Sequence, residues 1–142
     1  MKIALAVDER SPDGKVPALL KDAKYLFITE LEGMLIEKIY TADDADVELL
    51  FAKMAAENMC ETIICGEIIR GEAFSVLVDD QISRLNASGM TANEAVKAML
   101  DYTLPYIMDV VGGKGCEGGE IAEKMGIDVL GRNILKEQVE EQ

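Results

Sequence analysis

The sequence predicts an α/β domain whose mixed sheet joins an antiparallel hairpin to parallel strands, flanked by helices and followed by a Gly-hinged C-terminal helix-strand tail. Three observations carry that prediction. Two β-forming runs meet at Glu32-Gly33, helical and strand periodicities alternate between Val47 and Leu100, and five of the eight residues from Gly112 to Gly119 are glycine.

Lys2 to Val7 is a compact β-forming run that Asp8-Glu9-Arg10-Ser11-Pro12-Asp13-Gly14 ends with turn chemistry, so a first strand and a loop are expected. Tyr25 to Thr29 and Met34 to Tyr40 flank Glu32-Gly33 and predict strands two and three. Beyond the acidic cluster Asp43, Asp44 and Asp46, apolar residues recur at Val47, Leu50, Phe51, Met54 and Ala55, the spacing of a core-facing helix with carboxylates at its favourable amino end. Glu61 to Gly66 predicts a short buried strand, and Ala73, Phe74, Leu77 and Val78 return to helical spacing. Ile82 to Leu85 predicts another strand. Thr91-Ala92-Asn93-Glu94 is a capping-box sequence, and the helix it opens is expected to carry Ala95, Val96, Met99 and Leu100 inward. The domain organisation expected is 1–111 as the α/β domain, 112–119 as a Gly-rich linker and 120–142 as a tail in which Glu120 to Met125 is helical and Ile127 to Gly131 extended.

Of 142 residues, 49% are hydrophobic, which suffices for a core without disulfides. Twenty-seven acidic against 14 basic residues give a formal charge of −13, which repels a phosphate backbone and argues against nucleic acid as a partner. No stretch approaches a membrane span, and the apolar run at Met1 to Val7 is too short for a signal peptide, so a cytoplasmic protein is expected. The sequence contains no histidine, which removes the usual general base near neutral pH and the commonest metal-ligating side chain. Its three cysteines, Cys60, Cys65 and Cys116, form no C-x-x-C pair and are expected to be reduced thiols. The eight methionines fall at helical spacing and read as core filler before soft metal ligands.

The order of the pieces is itself informative. Met1-Lys2-Ile3-Ala4, the hairpin, the helix, Ile63-Ile64-Cys65-Gly66 with its turn, Ala73-Phe74-x-x-Leu77 and Gly89-Met90-Thr91-Ala92-Asn93-Glu94-Ala95 together resemble the dinitrogenase iron-molybdenum cofactor biosynthesis family over residues 1–104. That resemblance implies a ribonuclease H-like three-layer fold, with a ligand site where strand ends, loops and glycines gather. Two departures stand out. The family's His-Phe-Gly element falls at Leu19, Leu20 and Lys21, and its glycine-rich turn appears as Cys65-Gly66-Glu67-Ile68-Ile69-Arg70-Gly71, with two glycines and an added carboxylate. In the tail, Gly118 to Arg132 is similar to a segment of the Mrp-type iron-sulfur carrier ATPases, without their G-x-x-x-x-G-K-[ST] phosphate loop.

The resemblance implies an iron- or molybdenum-containing metal-sulfur cluster held around Cys65, Gly66, Glu67, Arg70 and Gly71, and the thiol of Cys116, in the Gly-rich stretch beyond the resembling residues, is expected to swing over that site. Cys65 and Cys116 would be its metal ligands, because soft thiolates suit such clusters provided the thiol can lose its proton near solvent. Arg70 and Gly71, at a helix start, would offer a guanidinium and free amides to an anion. A solvated turn arginine and a small core cysteine are the plainer readings of Arg70 and Cys65, and Cys60 reads as structural. The function expected is a non-enzymatic binding or carrier protein for the cluster in cofactor assembly, partnered by a cluster donor or acceptor. The alternative is a regulatory or protein-interaction module with a decayed ligand site. A metal-dependent hydrolase would require Asp8 to converge with Asp43, Asp44 and Asp46, whereas turn-making and helix-start roles explain those residues separately.

Overall fold

The computed structural model describes residues 1–43 and 46–111, so the predicted linker and tail, with Cys116, and also Asp44 lie outside the described residues. Met1–Ile107 forms one compact unit. Its strands are β1 (Lys2–Val7), β2 (Tyr25–Glu30), β3 (Leu35–Thr41), β4 (Thr62–Cys65) and β5 (Ser83–Asn86), and its helices are α1 (Val47–Glu57), α2 (Gly71–Asp79) and α3 (Ala92–Leu100). Each element predicted within these residues forms. The sequence pattern did not disclose the 3₁₀ turn Leu20–Asp22.

The five strands form one mixed sheet in the order β3-β2-β1-β4-β5. β1 pairs antiparallel with β2 and parallel with β4, placing Leu5 between Phe27 and Ile64. β4 and β5 are parallel, with Ile64 opposite Leu85. The β2–β3 pairing slips at Ile28/Thr29 through a bulge, and its turn puts the left-handed residue at Met34 (φ 50°) rather than at Gly33.

Alternation along these strands builds two cores. Ile3, Leu5, Val7, Phe27, Ile64 and Leu85 form one face and pack with Ala92, Ala95 and Val96 of α3. Ala4, Ala6, Leu26, Ile28, Ile63 and Cys65 alternate with them and face the other way, where α1 and α2 supply the buried Phe51, Ala52, Ala55, Ala73 and Leu77. The result is a three-layer α/β domain. Among the described residues no helix is long and apolar enough to cross a membrane.

Two predicted inward faces need correction. The buried stripe of α1 is Glu48, Phe51, Ala52 and Ala55, so Leu50 turns outward, and Leu100 at the end of α3 is half exposed. All three helices stop in the same way. The N–H two residues beyond the helix C-cap returns to a carbonyl five residues back, from Cys60 to Ala55, from Ile82 to Leu77 and from Thr103 to Ala98. The residue between is left-handed in each case: Met59 (φ 56°), Gln81 (φ 60°) and Tyr102 (φ 59°).

Candidate functional site

The carboxyl ends of β1, β4 and β5 lie side by side, and the loops that leave them contain most of the predicted site. The loop after β1 begins with Asp8, whose carboxylate accepts a hydrogen bond from the Lys15 N–H at 2.8 Å. Asp8 is thus a turn-maker. It then crosses the other strand ends: Val16 N–H donates to Met90 O, Gly89 N–H to Val16 O, Glu67 N–H to Ala18 O, and Leu20 N–H to Glu67 O. Leu20, where the resembling family keeps its His-Phe-Gly element, is fully buried and acts as a core residue.

Gly66 is required by this crossing. A Cβ at Gly66 would sit 2.2 Å from the Pro17 carbonyl oxygen and 2.4 Å from that of Ala18. The backbone approach that its glycine permits is therefore made by the chain's own loop. Glu67 accepts a hydrogen bond from the Asn86 amide at 3.1 Å, and the Asn86 oxygen in turn receives the Ser88 N–H and hydroxyl at 2.9 and 2.7 Å. Strand, turn and neighbouring loop are locked as one polar network.

The anion site expected at Arg70 and Gly71 already holds carboxylates of the protein. Buried Glu48 accepts the N–H groups of Ile69 at 2.8 Å and of Arg70 at 2.7 Å, at the positive end of the α2 dipole. The Arg70 guanidinium pairs with Asp46 at 2.9 Å and with Glu72. Asp46 also caps α1, accepting the Leu49 N–H at 3.3 Å, so this member of the acidic cluster serves a helix start and an ion pair. Gly71 and Gly89, by contrast, are exposed, and a Cβ at either would meet nothing within 4 Å. They leave open backbone beside the network.

Cys65 is fully buried between sheet and helices. Burial pushes its thiol far above the usual range, the Glu48 and Glu67 carboxylates push it further, and Arg84 opposes them. Burial likewise pushes Cys60 up to about 11 from 9.0. Both are neutral thiols near pH 7. Among the described residues no group of three or more cysteines, aspartates and glutamates is arranged to hold a metal ion. Thus Cys65, Gly66, Glu67, Arg70 and Gly71 do come together, but the first four are engaged by the protein itself. The residue of this region that sequence reasoning missed is Glu48, which looks in the sequence like an ordinary helix-surface glutamate and is the buried acceptor for the Ile69 and Arg70 amides.

The raised thiols predict an alkaline limit. The unfolded chain releases the Cys60 proton near pH 9.0 and the folded chain only near about 11, so this contribution to stability is intact below pH 9 and is lost as pH rises through that window. Cys65 acts in the same direction. The urea midpoint should fall between pH 9 and 11, and fall less in Cys60→Ala. A parallel decline in both proteins would show that the Cys60 thiol is as titratable folded as unfolded.

Comparison with solved structures finds the same fold. The apo orange protein from Desulfovibrio gigas is 18% identical with a TM-score of 0.66, over 76% of this chain and 93% of that one. A candidate NifB protein from Thermotoga is 18% identical with a TM-score of 0.63, over 74% and 91%. A candidate dinitrogenase from Methanocaldococcus jannaschii is 16% identical with a TM-score of 0.54, over 77% and 98%. Comparison with curated proteins finds no match. A family model matches residues 1–102, from β1 through α3 and all the site loops described above, and by that match the chain belongs to the dinitrogenase iron-molybdenum cofactor family.

Proposed function

We propose that the protein binds and passes on a metal-sulfur cluster of the iron- or molybdenum-containing kind during cofactor assembly, without catalysing a reaction. The observation that carries this reading is the family match over residues 1–102. The fold shared with the apo orange protein is consistent with it, and we extend the reading to a ribonuclease H-like sheet, which the strand order β3-β2-β1-β4-β5 supports. The cluster is cargo, received from a donor protein and delivered to an acceptor.

The chemistry of the chain divides the expected ligands. A thiol ligand must ionise at a place the cluster can reach. Buried, protonated Cys65 fails that requirement in the closed loop arrangement, so we assign the thiol ligand to Cys116 in Lys114-Gly115-Cys116-Glu117-Gly118. Gly71 and Gly89 present open backbone at the carboxyl end of the sheet, where a cluster can approach without meeting a side chain. The Glu67–Asn86–Ser88 network and the Glu48 carboxylate hold that surface rigid. No proton transfer is needed, in keeping with a chain that has no histidine.

Cluster retention after anaerobic gel filtration tests the assignment. Cys116→Ser should lose at least about tenfold in retained cluster, equivalent to 1.4 kcal/mol of binding free energy, while Cys65→Ala should retain it. Loss in Cys65→Ala with retention in Cys116→Ser would return the ligand role to Cys65 and require the Asp8–Leu19 loop to open.

A further inference from the structure

The opposite end of the sheet, away from the proposed cluster surface, has features that cluster binding does not use. Two cavities of about 600 and 380 Å³ meet there, sharing Met1, Thr62 and Ser83. Leu85, Leu100, Tyr102 and Tyr106 line the smaller one, and Met59, Cys60, Glu61, Asp80 and Gln81 line the larger. The exposed apolar side chains around them are large: Met59 is 82% exposed, Tyr102 95% and Tyr106 63%.

The helix ends make this surface unusual. α1, α2 and α3 all finish at this end, so three negative dipole ends gather where the β4 and β5 strands begin. A basic residue in the last turn would offset each, yet α1 and α2 have none, and the one in α3, Lys97, is paired with Asp101 at 3.2 Å. Exposed Glu57, Glu61, Asp79, Asp80 and Asp101 add full negative charge beside those ends. Of the cations at this end of β1, the ammonium of Met1, which lines both cavities, is already paired with Glu30 at 2.9 Å, and Lys2 with Glu37 at 3.1 Å. The left-handed position that closes each helix favours glycine, and here it holds Met59, Gln81 and Tyr102. The chain thus forgoes helix-end stability twice, by charge and by backbone, and two of the three left-handed residues, Met59 and Tyr102, project large exposed side chains around the cavities.

We propose that this end is a docking surface for a protein partner presenting a basic amphipathic helix. Apolar side chains on one face of that helix would enter the two cavities, against Met59 and Tyr102, whose adaptable and amphipathic side chains suit such contacts. Its lysines and arginines would meet the carboxylates and the three helix carboxyl ends, a helix-in-groove mode with electrostatic steering. This surface is distinct from the cluster surface, so a bound cluster and a docked partner can coexist. The inference stands whether or not the cluster reading holds.

Methyl spectra of the full chain with labelled methionines test it, using as probe a synthetic helical peptide of lysine and leucine with leucines at i, i+3, i+4 and i+7. Saturable shifts are expected at Met1, Met59 and Met99, with Met54 and Met90 unmoved. The double variant Met59→Gly, Tyr102→Gly should bind the peptide at least about tenfold more weakly while its thermal midpoint rises by about 5 °C, because glycine relieves both left-handed residues. That combination separates a lost contact from a damaged fold. Absence of saturable binding at millimolar peptide, equal shifts with a lysine-serine peptide, shifts centred on Met54 or Met90, or undiminished affinity in the double variant would each overturn the proposal. So would concentration-dependent shifts of the same methyls without peptide, which would identify a second copy of this chain as the occupant.

Discussion

Gly66→Ala should destabilise the domain by about 3 kcal/mol, near the upper end for overpacking in a fixed core. The added methyl carbon would lie 2.2 and 2.4 Å from two carbonyl oxygens of the Pro17-Ala18 backbone, and neither is the tip of a side chain that can swing away. Relief requires the loop to lift. Lifting it breaks the Glu67 N–H to Ala18 O and Leu20 N–H to Glu67 O bonds and exposes the fully buried Leu20. In thermal unfolding, a loss of that size in a unit of this length corresponds to a drop of about 12 °C. A loss below about 1 kcal/mol would mean that the loop yields at little cost, and with it the view that Gly66 serves the protein's own backbone would fall.

Glu48→Ala should cost a similar amount, about 3 kcal/mol, by a different mechanism. Its carboxylate is the acceptor for two neighbouring amides, Ile69 and Arg70, and is itself 2% exposed. Truncation leaves both donors without their carboxylate partner, and it removes a negative charge from the amino end of α2. Glu48→Gln keeps one oxygen acceptor and should lose about half as much. Equal stability of wild type and Glu48→Ala in urea would show that water satisfies these amides and that the carboxylate is not what holds the β4–α2 turn.

The two residues also mark where sequence reasoning stopped. Each strand and helix of the described domain was legible, because alternation, helical spacing and turn chemistry are local signals and here they agree with the fold. The α1 stripe was misplaced by one position because its first member is a glutamate. Reading apolar residues alone selects Val47 and Leu50, while the face that is buried runs through Glu48, Phe51, Ala52 and Ala55. Nothing local to Glu48 announces that amides 21 and 22 residues away lack a partner. Gly66 and Gly71 likewise pointed to a place where backbone comes close to something, but the occupant at Gly66 is Pro17-Ala18, nearly fifty residues earlier in the chain. Cys65 was legible as the end of a buried strand. Whether that end opens to a ligand or is roofed by a loop depends on long-range contacts alone. The left-handed residue of the hairpin turn is Met34, beside Gly33, and the β2–β3 register slips at Ile28/Thr29, neither of which the Glu32-Gly33 signal discloses.

Metal content measures most directly whether this member of the family carries the proposed metal-sulfur cluster. Protein purified without oxygen should contain molybdenum, iron or copper in stoichiometric amount, by elemental analysis, with a visible charge-transfer absorption that disappears when the cluster is removed. Colourless, metal-free protein that also fails to take up a supplied cluster would contradict the proposed cluster binding.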